Sequence, residues 1–230
     1  MKLDRLYSKR FESGTWQKRN SMWRILCEEF FNRYIKPTDD VLDLAAGYCD
    51  FINNIAAPNS GQVRGRRIAV DLNPDVRTHA ASFVEVHNTP AQDLGFLGEA
   101  SIDAVFVSNF FEHVREKDEI LAILEECLRV LRIGGKLMIL QPNIKYLTGE
   151  YWDFFDHYTP LTDKSMCEAV NIVAGNGQFR LVRVLDKFLP YTTKSRLPQF
   201  DWMIKLYCHC PPAWRILGKQ MFILAVKEKV

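Results

Sequence analysis

The stretch VLDLAAGYCDF, residues 41–51, decides how the rest of the sequence is read. An apolar run carries the carboxylate of Asp43, a single glycine, Gly47, stands in a polar break, and Phe51 closes it. This is the outline of a buried strand that turns sharply and feeds a helix from about Asp50. Such a junction leaves unpaired amides and the positive end of a helix dipole beside the loop, where a polar cofactor docks. The G-x-G-x-x-G spacing of a dinucleotide loop is absent, which argues against NAD or FAD. Alanine and cysteine, Ala45 and Cys49, take the places where such loops carry further glycines.

Outward from this loop, apolar runs alternate with helical stretches. The runs are IAVDL (68–72), FVEV (83–86), IDAVFVSN (102–109), GGKLMIL (134–140), FRLVRVL (179–185) and MFILAVK (221–227). Between them, KDEILAILEECLRVL (117–131) places Ile120, Leu121, Leu124, Leu128 and Leu131 on one helical face. The double glycine that follows is expected to end this helix and turn the chain into a strand. Further helices are predicted over 21–35, stopped by Pro37, and over 163–177. The alternation predicts a parallel α/β sheet with helices on both faces. Residues 141–162 and 186–218 break the pattern and are rich in aromatic, proline and charged residues; they read as cap segments, where ligands are held. No long linker or repeat divides the chain, so residues 1–230 are expected to form a single domain, with 1–37 as an N-terminal helical arm.

Composition narrows the function. Thirty basic residues against 28 acidic ones give a net charge of +2, which calls for no polyanionic partner. Seven of the basic residues (Lys2, Arg5, Lys9, Arg10, Lys18, Arg19 and Arg24) crowd the first 24 positions, either a solvated face or a contact for an anionic substrate or surface. Six cysteines without a leader-like start predict reduced thiols and a cytoplasmic location. YCHCPP (207–212) offers Cys208, His209 and Cys210, yet no second ligand pair stands at zinc-finger spacing, so no metal is expected. No apolar run approaches the ~18–20 residues that span a bilayer.

From about residue 38 to 180 the chain resembles the class I S-adenosylmethionine-dependent methyltransferases. VLDLAAGYCDF is similar to that family's first strand and loop, IAVDLNP to its acidic second-strand end, and AQDLGF to the polar-acidic pair after the third. IDAVFVSNFFEHV resembles the fourth strand with its Glu-His turn, and LRVLRIGGKLMILQPN the following helix and fifth strand. The resemblance implies a Rossmann-like, seven-stranded, mostly parallel sheet with an antiparallel last strand. It also implies S-adenosylmethionine as cofactor and S-adenosylhomocysteine as product. Cofactor contacts are then expected from Asp43, Ala45, Gly47, Asp71, Leu72, Gln92, Asp93, Asn109 and Phe110. Asp71 is the expected ribose anchor and Asp93 the expected acceptor for the adenine amine.

A hydroxyl acceptor needs a general base, whereas an amine needs only to arrive unprotonated. Candidate bases lie in NFFEHV, with Glu112 and His113, and in YWDFFDHYTP, with Asp153, Asp156 and His157. The expected base is His157 oriented by Asp156, with His113 second. The cap segments resemble a bacterial group met in polysaccharide or glycolipid biosynthesis. This implies a small-molecule acceptor: a sugar hydroxyl on a nucleotide-sugar or lipid-linked glycan, met by Tyr158, Arg196, Lys194 and Arg19. An N-methyltransferase of an amino sugar or other small amine, or a catalytically silent binding protein of the same fold, are the alternatives. A nucleic-acid substrate is not expected, because SNFF lacks the Asn/Asp-Pro-Pro-aromatic sequence that holds a flipped base. Peripheral membrane contact through Trp202–Arg215 and a homodimer both stay open.

Overall fold

A computed structural model describes residues 16–56, 65–147, 149–175, 177–190 and 200–229. Seven strands form one sheet: β1 (Val41–Leu44), β2 (Arg67–Val70), β3 (Val84–His87), β4 (Ile102–Ser108), β5 (Leu131–Pro142), β6 (Phe179–Leu185) and β7 (Gln220–Lys227). Their order is β3-β2-β1-β4-β5-β7-β6. The first five are mutually parallel, and β7 runs antiparallel to both its neighbours. The helices are α1 (Trp16–Glu29), the single turn α2 (Val76–His79), α3 (Lys117–Val130), α4 (Asp163–Ala174), α5 (Asp201–Cys208) and α6 (Pro211–Leu217).

Alternate residues of each central strand enter opposite cores, as the period of a strand requires. Leu42, Leu44, Val105, Val107, Leu137 and Ile139 face an aliphatic layer built with α3 and α4. Val41, Ala104, Phe106, Met138 and Leu140 face an aromatic layer containing Phe30, Phe31, Phe51, Phe188, Trp214 and Phe222. Phe51 stacks on Phe106 with centroids 3.8 Å apart. The expected N-terminal arm is therefore partly core: Ile25, Leu26, Cys27, Phe30 and Phe31 are buried. Its helix ends at Glu29, and a 3-10 turn over Phe31–Arg33 follows.

Three other expectations change. The stretch after Gly47 is a run of turns through Ala56, not a regular helix. Left-handed backbone at Cys49 (φ 57°) and Ala56 (φ 45°) interrupts helical geometry, leaving isolated bonds such as Asn53 N to Cys49 O at 3.0 Å. The double glycine does not stop α3, which already ends at Val130 where β5 begins. Gly134 and Gly135 lie inside β5, where pairing jumps from Ile102↔Leu131 to Ala104↔Lys136. Gly134 is left-handed (φ 79°), and a Cβ on Gly135 would meet Arg132 O at 2.7 Å. The glycines thus make a bulge. The second cap segment is also more regular than expected, since it contains α5 and α6.

Candidate active site

The sheet order reverses between β1 and β4, so connections leave these neighbours toward opposite edges. A crevice opens outside their carboxyl ends, the place where open α/β sheets hold ligands. The loop after β1 lines one side. Ala45 (φ 58°), Gly47 (φ 53°) and Cys49 (φ 57°) alternate in left-handed conformation. The chain keeps a glycine-type path with two side chains on it. Cys49 is buried, with Sγ 3.8 Å from Val76 O, and burial pushes its thiol far up.

Asp71, just past β2, ties this loop down. Its Oδ2 accepts from Gly47 N and its Oδ1 from Asn73 N, both at 2.8 Å. Burial raises its carboxyl, partly offset by these two amides. Asp43 is buried in β1 and accepts from the Ile52 amide, and burial, with the charges of Asp50 and Asp71, raises it strongly. Asp50 is pushed up to about 6 by burial, against the pull of Arg19. Arg19 pairs with Asp50 at 2.7 Å and lies 4.1 Å over the Tyr48 ring. Arg19 therefore belongs to the loop. Leu72 is 71% exposed beside Asp71. Gln92 and Asp93 lie exposed in the turn after β3, where Asp93 Oδ1 accepts from Gly95 N at 3.4 Å.

The other side is built from the ends of β4 and β5 and from the first cap segment. Asn109 is left-handed (φ 47°) and donates its amide to Leu140 O. Phe110 packs against the aliphatic core, and a 3-10 turn over Phe111–His113 follows. Glu112 is only 1% exposed; burial raises its carboxyl, and its Oε2 accepts from Gln141 Nε2. His113 Nδ1 lies 2.9 Å from Asp156 O and 3.3 Å from Asp156 Oδ2. His157, 7% exposed, stacks on Phe154 at 4.8 Å, with its ring 5.0 Å from that of His113. Of the two imidazoles, His113, which contacts Asp156, is the more exposed. Tyr158 is held by Arg115, whose guanidinium sits 4.7 Å over its ring. Lys194 and Arg196 lie outside the described residues.

The fold brings Asp43, Ala45, Gly47 and Asp71 together at the loop after β1, and His113, Asp156 and His157 together where the turn after β4 meets the first cap segment. Sequence reading passed over Gln141 and the Arg19–Asp50 pair. Gln141 carried a signal, a polar residue ending the apolar run LMIL; the ion pair joins positions 31 residues apart and carried none.

A family model described as a methyltransferase domain matches residues 42–139, which run from β1 into β5 and carry most of the crevice. Over these residues the chain carries a methyltransferase domain. No curated protein matches the sequence. Among solved structures, a SAM-dependent methyltransferase from Archaeoglobus fulgidus is 18% identical with a TM-score of 0.62, covering 86% of this chain and 90% of its own. A chain of the Haloferax volcanii complex between the Trm112 methyltransferase activator and a methyltransferase is 16% identical with a TM-score of 0.65, covering 95% and 94%. A geranyl diphosphate methyltransferase bound to SAM is 13% identical with a TM-score of 0.57, covering 90% and 85%. At these identities the likeness is one of fold. Among the described residues of the chain, no helix is long and apolar enough to cross a membrane.

Proposed function

We propose that this methyltransferase transfers the methyl group of S-adenosylmethionine to a hydroxyl of a small-molecule acceptor, a sugar or glycan precursor. Asp71 accepts the ribose hydroxyls on the lone pairs that Gly47 and Asn73 leave over. Leu72 and Phe110 flank the adenine, Asp93 accepts its amine, and Gln92 and Asn109 complete the polar lining. The amides around Ala45 and Gly47 approach the methionine end of the cofactor. Three carboxylates, Asp43, Asp50 and Asp71, against the single cation Arg19, suit a ligand that carries a sulfonium and an ammonium.

The observation that carries the acceptor reading is the convergence of Glu112, His113, Asp156 and His157 opposite that loop. In the transfer the S–CH3 bond breaks with its electron pair staying on sulfur, an O–CH3 bond forms, and the hydroxyl proton leaves through this cluster. His113 is its most accessible imidazole and Asp156 orients it. Exposed Trp152, Phe155 and Tyr158 on the cap offer flat apolar faces for a sugar ring. A cytoplasmic place in polysaccharide biosynthesis follows from this substrate class.

The test is S-adenosylhomocysteine release over a panel of nucleotide sugars and lipid-linked glycans, with His113→Ala alongside. The variant is expected to lose about 10²–10⁴ in kcat while binding S-adenosylhomocysteine as tightly as wild type. Turnover within a few-fold of wild type would remove the cluster from the chemistry.

A further inference from the structure

We propose that Glu112, His113 and His157 form a binding site for one divalent transition-metal ion of the zinc type. Each offers a ligand atom, and these atoms all lie within 4.8 Å of one another. Ligands on a tetrahedral ion with bonds near 2.1 Å stand about 3.4 Å apart, so the widest pair needs to close by up to about 1.4 Å. Two imidazoles and one carboxylate select zinc, iron, cobalt or nickel over magnesium and calcium, which prefer oxygen sets.

The surroundings supply what such a site requires beyond its ligands. Asp156 engages His113 at Nδ1, the carboxylate–histidine arrangement that fixes the tautomer and leaves Nε2 as the basic nitrogen. Gln141 Nε2 donates to Glu112 Oε2, holding the carboxylate and leaving Oε1 for an ion. On the same amide, Gln141 Oε1 is buried without a hydrogen-bond partner among the described residues. A buried acceptor of this kind asks for a donor, and water bound to an ion is one. Phe154 and Tyr151 pack on His157 with centroids 4.8 and 4.6 Å away, restricting its ring. The ligands come from the turn after β4 and from the first cap segment, far apart in sequence, so their spacing does not reveal them.

The site rests on this convergence and not on which acceptor is methylated. An ion held there would polarise the acceptor oxygen and lower its pKa, and the proton would leave through the remaining member of the cluster, Asp156. His113 then serves as a ligand, and the loss expected for His113→Ala stands unchanged.

Chelator-treated protein titrated with Co2+ alone tests the site by visible absorption, with Zn2+ competition giving the stoichiometry. Wild type should bind one Co2+ per chain with ligand-field bands and no thiolate charge-transfer band. Glu112→Gln and His157→Gln should each weaken binding at least tenfold, while His209→Ala, on α5's far end, leaves it unchanged. Titration of every sample with S-adenosylhomocysteine reports folding and the cofactor site separately from the metal. Failure of wild type to bind stoichiometric Co2+ or Zn2+ would overturn the proposal. So would unchanged binding in both variants, or a thiolate band placing the ion on Cys208 and Cys210.

Discussion

Ala45 holds a left-handed conformation (φ 58°) in the loop after β1. An L-residue there costs roughly 1–2 kcal/mol, because Cβ crowds the following carbonyl oxygen. Glycine removes that strain but adds about 0.5–1 kcal/mol of unfolded-state entropy. Ala45→Gly is therefore expected to stabilise the protein by about 0.5–1 kcal/mol, read as a higher urea midpoint at unchanged slope. A lower midpoint would mean that the methyl group makes packing contacts worth more than the strain. The glycines expected at this loop are missing from the sequence, yet their backbone conformation is kept. Asp43, Gly47 and Asp71 stand in or just after apolar runs, so their place at this loop was legible from the sequence. Asp50 and Arg19 were not, because an ion pair between distant positions leaves no local pattern.

At the scale of elements, strands were the easiest to read. β6 matches its predicted run residue for residue, and β7 differs by one residue. β6, an antiparallel edge strand, alternates in burial, while the central parallel strands are continuous apolar runs bounded by turn residues, and both patterns are legible in sequence. Helix ends were harder. Thr162 begins α4 in a capping box, its side chain accepting from Ser165 N at 3.1 Å while Ser165 Oγ accepts from Thr162 N at 2.8 Å. Because this cap follows directly on the segment bearing Asp156 and His157, it also anchors one end of the candidate site. Thr162→Ala should cost about 1 kcal/mol in chemical denaturation. A cost below a few tenths would show that α4 is held by its packed face alone. The turns at 47–56 and the bulge at 134–135 escaped the reading for one reason: a left-handed residue interrupts a pattern that is otherwise helical or extended.

Across the whole molecule, the crevice concentrates carboxyl groups whose burial raises them, Asp43, Asp50, Asp71 and Glu112. Asp50 is the one with a defined value. Its folded value of about 6 lies above that of the unfolded chain, so the folded protein keeps this proton where the unfolded chain has released it. The contribution of Asp50 to stability is fully present below about pH 4 and is lost as pH rises through about 6. The stability of wild type relative to Asp50→Asn should therefore be greater at about pH 4.5 than at about pH 7.5, measured by urea midpoints. A difference independent of pH would mean that the Arg19 pair cancels the burial in full.

The account stands or falls on the loop and Asp71 as the cofactor site. Calorimetric titration of the purified protein with S-adenosylhomocysteine, beside Asp71→Ala, tests this directly. Saturable 1:1 binding that weakens by about 10- to 100-fold in the variant is predicted, the loss expected for charge-assisted hydrogen bonds. Absence of binding by wild type, or undiminished binding by Asp71→Ala, would contradict it.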